Sequence, residues 1–117
     1  LEDSELALTT TAGRYAPENY DRRFRGLASL RVALAGSLNI PAVRTLELIG
    51  ADLFADRLSD LGFTGLTEAA DFYGPPLALG SLAVSLWQLV NAYRTLANGG
   101  RHGDLSLLPG PAGKTRR

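Results

Sequence analysis

Apolar residues recur at helical spacing in four stretches of the chain. Leu27, Leu30 and Leu34 predict a short helix over 28–36, ending near Gly36. Val43, Leu46 and Ile49 predict a second over 41–49, with Pro41 at its first position and Gly50 at its end. Phe54, Leu58 and Leu61 share one face of a third over 51–61, stopped by Gly62. The strongest pattern covers 86–98. There Leu86, Leu89, Val90, Tyr93, Leu96 and Ala97 predict a buried stripe. Ser85 stands three residues before Gln88, which predicts a capping box, and Val84 and Leu89 are spaced for a hydrophobic staple. The links between the first three helices are very short, so they should pack as close antiparallel or crossing neighbours.

Between and around these stretches the period is lost. Residues 1–14 are small and polar and are expected to be irregular, with one short strand at Leu6-Ala7-Leu8. Pro17, Asn19 and Asp21 predict an ordered loop over 15–26, pinned to the core by Tyr15, Tyr20 and Phe24. Residues 63–81 are punctuated by Gly65, Gly74, Pro75, Pro76 and Gly80 and read as loop. Residues 103–117 show no period and should fray.

Composition narrows the function. The chain has 117 residues, 45% hydrophobic, enough for one domain or part of one. Its 12 basic and 12 acidic residues cancel, which argues against a nucleic-acid surface built on excess positive charge. Cysteine is absent, so neither disulfides nor thiolate metal sites can form, and the acids show no metal-like spacing. No apolar run approaches the ~20 residues that span a bilayer. Leu1 opens mid-pattern with no basic leader, so any signal peptide or anchor is expected outside this stretch. No metal and no cofactor is expected.

The chemistry concentrates at Ser37-Leu38-Asn39, a polar triplet between two apolar helices. A hydroxyl and a carboxamide two positions apart at such a junction can face one cleft. Alone, the triplet reads as a helix-end loop, since both residue types favour caps and turns, and Asn39 can help cap the helix that follows. The flanks change that balance. Tyr15-Ala-Pro-Glu-Asn-Tyr-Asp21, Phe24-Arg-Gly26 and Ala33 to Val43, followed by Leu77-Ala-Leu-Gly80, Leu86 to Tyr93 and Leu96-Ala-Asn-Gly-Gly100, resemble the transpeptidase domain of class A penicillin-binding proteins in order and spacing. The resemblance covers roughly residues 15–103, with 1–14 and a flexible 104–117 tail on either side.

That resemblance implies a mainly α structure. It would be the helical lobe of the β-lactamase and penicillin-binding transpeptidase α/β fold, with most sheet strands absent. It implies that Ser37 is catalytic, relaying protons between the lysine of a nucleophile motif and the leaving group. It implies that Asn39 binds substrate through the acyl-side amide of a peptide or β-lactam. The implied ligands are peptidoglycan stem peptides and β-lactams, and the implied location is the periplasmic face of the bacterial inner membrane. Self-association through exposed helix faces is expected if the sheet is missing.

Two further motifs of that family are not matched. The nucleophile motif is Ser-x-x-Lys, and no serine here has lysine at the third following position, because Lys114 is the only lysine. Lys114-Thr115 continues to Arg116 rather than the glycine of Lys-Thr-Gly and reads as a basic tail. The chain is therefore expected to begin after the nucleophile and to be inactive alone. A non-enzymatic helical interaction module with an inherited scaffold is the alternative. A stand-alone serine hydrolase is poorly supported, since the single histidine, His102, reads as a solvated loop residue with no paired acid.

Overall fold

The computed structural model describes residues 1–106. The tail expected beyond that point, Lys114-Thr115 included, lies outside the described residues. The architecture is mainly α, in agreement with the sequence reading. Strands β1 (Glu2–Asp3) and β4 (Gly26–Leu27) pair antiparallel, and β2 (Leu8–Thr10) and β3 (Gly13–Tyr15) form a hairpin. Helices α1 (Leu30–Ala35), α2 (Asn39–Ile49), α3 (Ala51–Asp60), α4 (Ala70–Tyr73) and α5 (Leu86–Ala97) follow, with a 3-10 helix at Pro75–Leu79.

Helix α2 is the centre of the packing. Ile40, Pro41 and Val43 have almost no accessible surface, and Leu46 is buried one turn on. The 3-10 helix lies against this face through Pro75 and Leu77, while α1 and α3 flank it. Burying an aliphatic side chain of this size contributes about 1.5–3 kcal/mol, so the core rests on a few α2 residues. The described chain is thin. Its radius of gyration is 16.3 Å, against about 13 Å for a compact domain of some 100 residues.

Local rules explain the helix ends. Ser29 Oγ accepts from the Val32 N–H and caps α1. Gly50, at φ 87°, ends α2 and opens α3 in one residue, a turn that a side chain would strain. Asp52 and Arg57 sit at the ends of α3 that suit their charges. In α5 the capping box forms as predicted. Ser85 Oγ accepts from Gln88 N–H, and Ser85 N–H donates to Gln88 Oε1. Gln88 Nε2 also reaches Thr64 Oγ1 at 2.8 Å, tying the helix to the preceding loop.

Four expectations are corrected. Helix α2 begins at Asn39, not Pro41, because Asn39 and Ile40 N–H both find an acceptor in Asn19. The predicted buried stripe of α5 faces outward: Leu86 is 77% exposed, and Tyr93 and Leu96 are 67% exposed. The side that packs carries Asn91, Ala92 and Thr95, and no described sheet covers the apolar side. Tyr20 is fully exposed and Phe24 mostly so, so of the three aromatics expected to pin the 15–26 loop only Tyr15, half-buried and paired with Leu8, is held. Finally, the early strand runs over Leu8–Thr10 rather than Leu6-Ala7-Leu8, and its pairing with Gly13–Tyr15 orders part of a segment whose composition suggested irregular chain.

Replacing Ser85 by alanine should cost about 1 kcal/mol and lower the melting temperature by roughly 4–8 °C, read by circular dichroism. An unchanged melt would show that the box adds nothing to α5.

Candidate functional site

The junction between α1 and α2 is a Schellman turn. Leu38 N–H donates to Ala33 O at 2.9 Å, and Ser37 N–H donates to Leu34 O at 3.1 Å. Such a turn needs one residue in the left-handed region, and glycine usually supplies it. Here Gly36 has φ −85° and Ser37 takes the strained position at φ 52°. A non-glycine residue there costs about 1–2 kcal/mol. The side chain is exposed, and among the described residues no hydrogen bond to its hydroxyl compensates for the strain. Backbone outliers of this kind occur in turns and also cluster at ligand-binding and active sites.

Asn39 follows as the first residue of α2. Leu38 holds the capping position but has no side-chain acceptor, so the helix cannot cap itself. The cap comes from twenty residues upstream. Asn19 Oδ1 accepts from Asn39 N–H at 2.9 Å and Ile40 N–H at 3.4 Å. Asn39 Nδ2 donates to Glu18 O at 2.8 Å, which fixes its carboxamide and leaves Oδ1 and the second amide proton open. Asn19 is itself clamped. Its Nδ2 donates to both carboxylate oxygens of Asp3, at 2.7 and 2.9 Å, and to Arg23 O. Arg25 N–H adds a third hydrogen bond to Asp3, at 2.8 Å. Asp3 is 0% exposed and Asn19 3%.

Ser37 and Asn39 line the same open cavity of about 400 Å³. Apart from Thr45 its other walls are apolar, among them Leu34, Leu38, Leu46 and Phe54, with Leu79 at one side. The two residues singled out by the sequence are therefore brought together on one cavity. Of the stretches noted beside them, Leu79 reaches this cavity, whereas Tyr73 lines a separate one near the β2–β3 hairpin. Desolvation pushes the Tyr73 phenol up, but hydrogen bonds from Glu68 and Thr67 outweigh it and leave its pKa below the usual value. That phenol braces the 65–68 loop.

His102 is not the solvated residue expected. Its ring is half-buried, and Nε2 lies 3.1 Å from Asn91 Nδ2. Asn91 Oδ1 already accepts from Arg94, so Nδ2 is the donor and the imidazole accepts. The histidine fastens the chain end of α5 and is remote from the Ser37 cavity. Among the described residues, no three His, Asp or Glu side chains gather to hold a metal ion. Among them, too, no helix is long and apolar enough to cross a membrane.

Sequence reasoning missed Asp3, and it read Glu18 and Asn19 only as part of the resembling Tyr15–Asp21 block, with Asn19 as a turn former. One signal was available. The residue before Asn39 is a leucine, so a helix starting there must borrow its cap from elsewhere.

Comparison with known proteins bears on this geometry. The model of the penicillin binding protein transpeptidase domain matches residues 6–112. The chain belongs to the penicillin-binding protein transpeptidase family. Among its relatives, penicillin-binding protein 1B of Vibrio cholerae is 38% identical over 110 residues, covering 92% of this chain and 14% of that protein. Penicillin-binding protein 1C of Escherichia coli is 36% identical over 97 residues, covering 83% of this chain and 13% of that protein. The crystal structure of penicillin-binding protein 1A from Haemophilus influenzae superposes with a TM-score of 0.80 at 30% identity, covering 89% of this chain and 15% of that one. The chain thus spans about a seventh of the length of these transpeptidase-family relatives, and its helices correspond to part of their α/β domain.

Two outcomes test the local geometry of this transpeptidase segment. Ser37→Gly removes the left-handed strain, so stability should hold or rise by up to about 1 kcal/mol in urea unfolding. A comparable loss would mean that the hydroxyl makes a structural bond. Asp21 is held at about 2, first by the Arg25 side chain and then by the Arg23 backbone N–H. The folded value lies below the unfolded one, about 3.9, so this pair stabilises the loop above that pH and its contribution is lost as pH falls through about 2. Carboxyl NMR should follow Asp21 titrating near 2, moving toward the ordinary value in Arg25→Gln. An unmoved midpoint in that variant would contradict the assignment.

Proposed function

We propose that Ser37 and Asn39 are the Ser-x-Asn pair of a serine D,D-transpeptidase that cross-links peptidoglycan stem peptides. The observation that carries the reading is the shared cavity: Ser37, held in a strained backbone, and Asn39, with a clamped carboxamide, line the same open space. In this reaction a nucleophilic serine attacks the carbonyl of the penultimate D-Ala. The peptide bond breaks, and the terminal D-Ala leaves with a proton. A neighbouring stem-peptide amine then attacks the ester and releases the serine. Ser37 Oγ carries the proton between the nucleophile's lysine and the leaving nitrogen. Asn39 hydrogen-bonds the donor's amide and holds its carbonyl in line.

The sequence here contains no Ser-x-x-Lys, so the nucleophile is supplied by another part of the complete domain. β-Lactams, as mimics of the donor, are ligands of that complete site, and the reaction takes place on the extracytoplasmic side of the membrane. The 117-residue chain alone lacks catalysis, and its uncovered α5 stripe favours association with a second copy.

In the full-length protein, Ser37→Ala should slow acylation by a fluorescent penicillin about 10²–10⁴-fold, with the melting temperature retained. An unchanged rate would overturn the reading. The isolated chain, incubated with the same penicillin and denatured, should show no labelled band, and a covalent label on it would refute the assignment of the nucleophile to another segment.

A further inference from the structure

We propose that Asp3 and Asn19 are positioning residues that set the geometry and field of the Ser37–Asn39 pair. The inference rests on the transpeptidase reading above. Neither side chain lines the cavity beside Ser37, so neither touches a donor there. Their effect is transmitted through α2.

The chain of contacts runs in one direction. A carboxylate without accessible surface is costly unless its lone pairs are filled. Asp3 meets this with three bonds, two to Asn19 Nδ2 and one from Arg25 N–H. None of these donors is a charged side chain, and the nearest cation is the Arg25 guanidinium, whose pKa is raised mainly by its hydrogen bond to Asp21 and only in part by the Asp3 charge. The Asp3 carboxylate orients the Asn19 amide, drawing its N–H₂ end inward and directing Oδ1 at the first two N–H groups of α2. A polarised carbonyl oxygen is the better acceptor, and the helix N-terminus is where negative potential is favoured. The adjacent Glu18 carbonyl, carried on the same clamped segment, holds the Asn39 side chain. One buried charge therefore fixes both the backbone and the carboxamide of Asn39. Ser37 stands two residues before this anchor, in a turn that must keep a strained φ of 52°. Loss of the anchor frees α2 to begin at Pro41 and lets Ser37 relax.

The test uses the full-length protein, with penicillin acylation rates normalised to folded protein and melting temperatures measured alongside. Asn19→Asp sets a carboxylate against the Asp3 carboxylate and should slow acylation about 10–100-fold, the scale of lost outer-shell support. The exchange pair Asp3→Asn with Asn19→Asp returns a single buried charge, now at the capping position with an amide donating to it. It should regain about tenfold or more of the lost rate. Purely structural residues would lower the melting temperature without changing the rate per folded molecule. A normal normalised rate in Asn19→Asp, or an exchange pair that recovers melting but not rate, overturns the proposal. If Asn19→Asp does not fold, Asp3→Asn alone decides: a several-fold slower rate supports it and a normal rate overturns it. Ser37→Ala, run in parallel, separates the two claims, because a normal rate there defeats the transpeptidase reading itself.

Discussion

A carboxylate buried to zero exposure organises this molecule. Asp3 lies on a two-residue strand, far in sequence from the helices it serves. Burial of such a group would cost several kcal/mol if its oxygens were left bare. The 17–25 loop supplies the donors to β1, and through Asn19 Oδ1 the same loop holds the start of α2. Arg44 reinforces the same joint from the other side, its guanidinium reaching Ser4 Oγ and Glu5 O. Apolar contact alone would hold α2 against the 3-10 helix, but it is not directional. The hydrogen-bonded joint is directional, and it sets where α2 begins and how the Asn39 carboxamide is held.

The turn at Ser37 shows the complementary side of that design. A Schellman turn with glycine in its left-handed position would be more comfortable. Serine there keeps strain in the fold, and the strain persists because Leu38 is buried on one side and Asn39 is clamped on the other. Such over-determination is how a fold retains an unfavourable backbone at a place where a particular side chain is wanted. The cavity beyond is mostly apolar, so hydrogen bonds made by the serine and the asparagine face little competition from other polar groups on its walls.

Much of this was legible in the sequence where the signal is local. The α5 capping box depends on Ser85 and Gln88 alone, and it forms as read. The Gly50 link between α2 and α3 follows from glycine placement, and α1 ends at Gly36 as read although Ser37 takes the left-handed position. The pairing of Ser37 with Asn39 on one cavity followed from a two-residue spacing across a helix junction. What depended on distant partners was not legible. The α5 stripe has a helical period, but a period says only which residues share a face, not whether anything covers it. The start of α2 was misplaced because proline at a first helical position is the commoner pattern, while the acceptor that moves the start to Asn39 lies twenty residues upstream. Asp3 carried no mark at all in a polar, charged N-terminal stretch, since a buried acid looks like a solvated one until its donors are known.

The central claim is spatial: the Ser37 hydroxyl and the Asn39 carboxamide frame the seat of an acyl donor. A crystal structure of the full-length protein acylated by a penicillin tests it most directly. The account requires Ser37 Oγ and an Asn39 side-chain atom within hydrogen-bonding reach of the bound acyl group, about 3 Å, with Asn19 still seated between Asp3 and α2. An acyl group bound elsewhere, with either side chain turned away from it, would contradict the account.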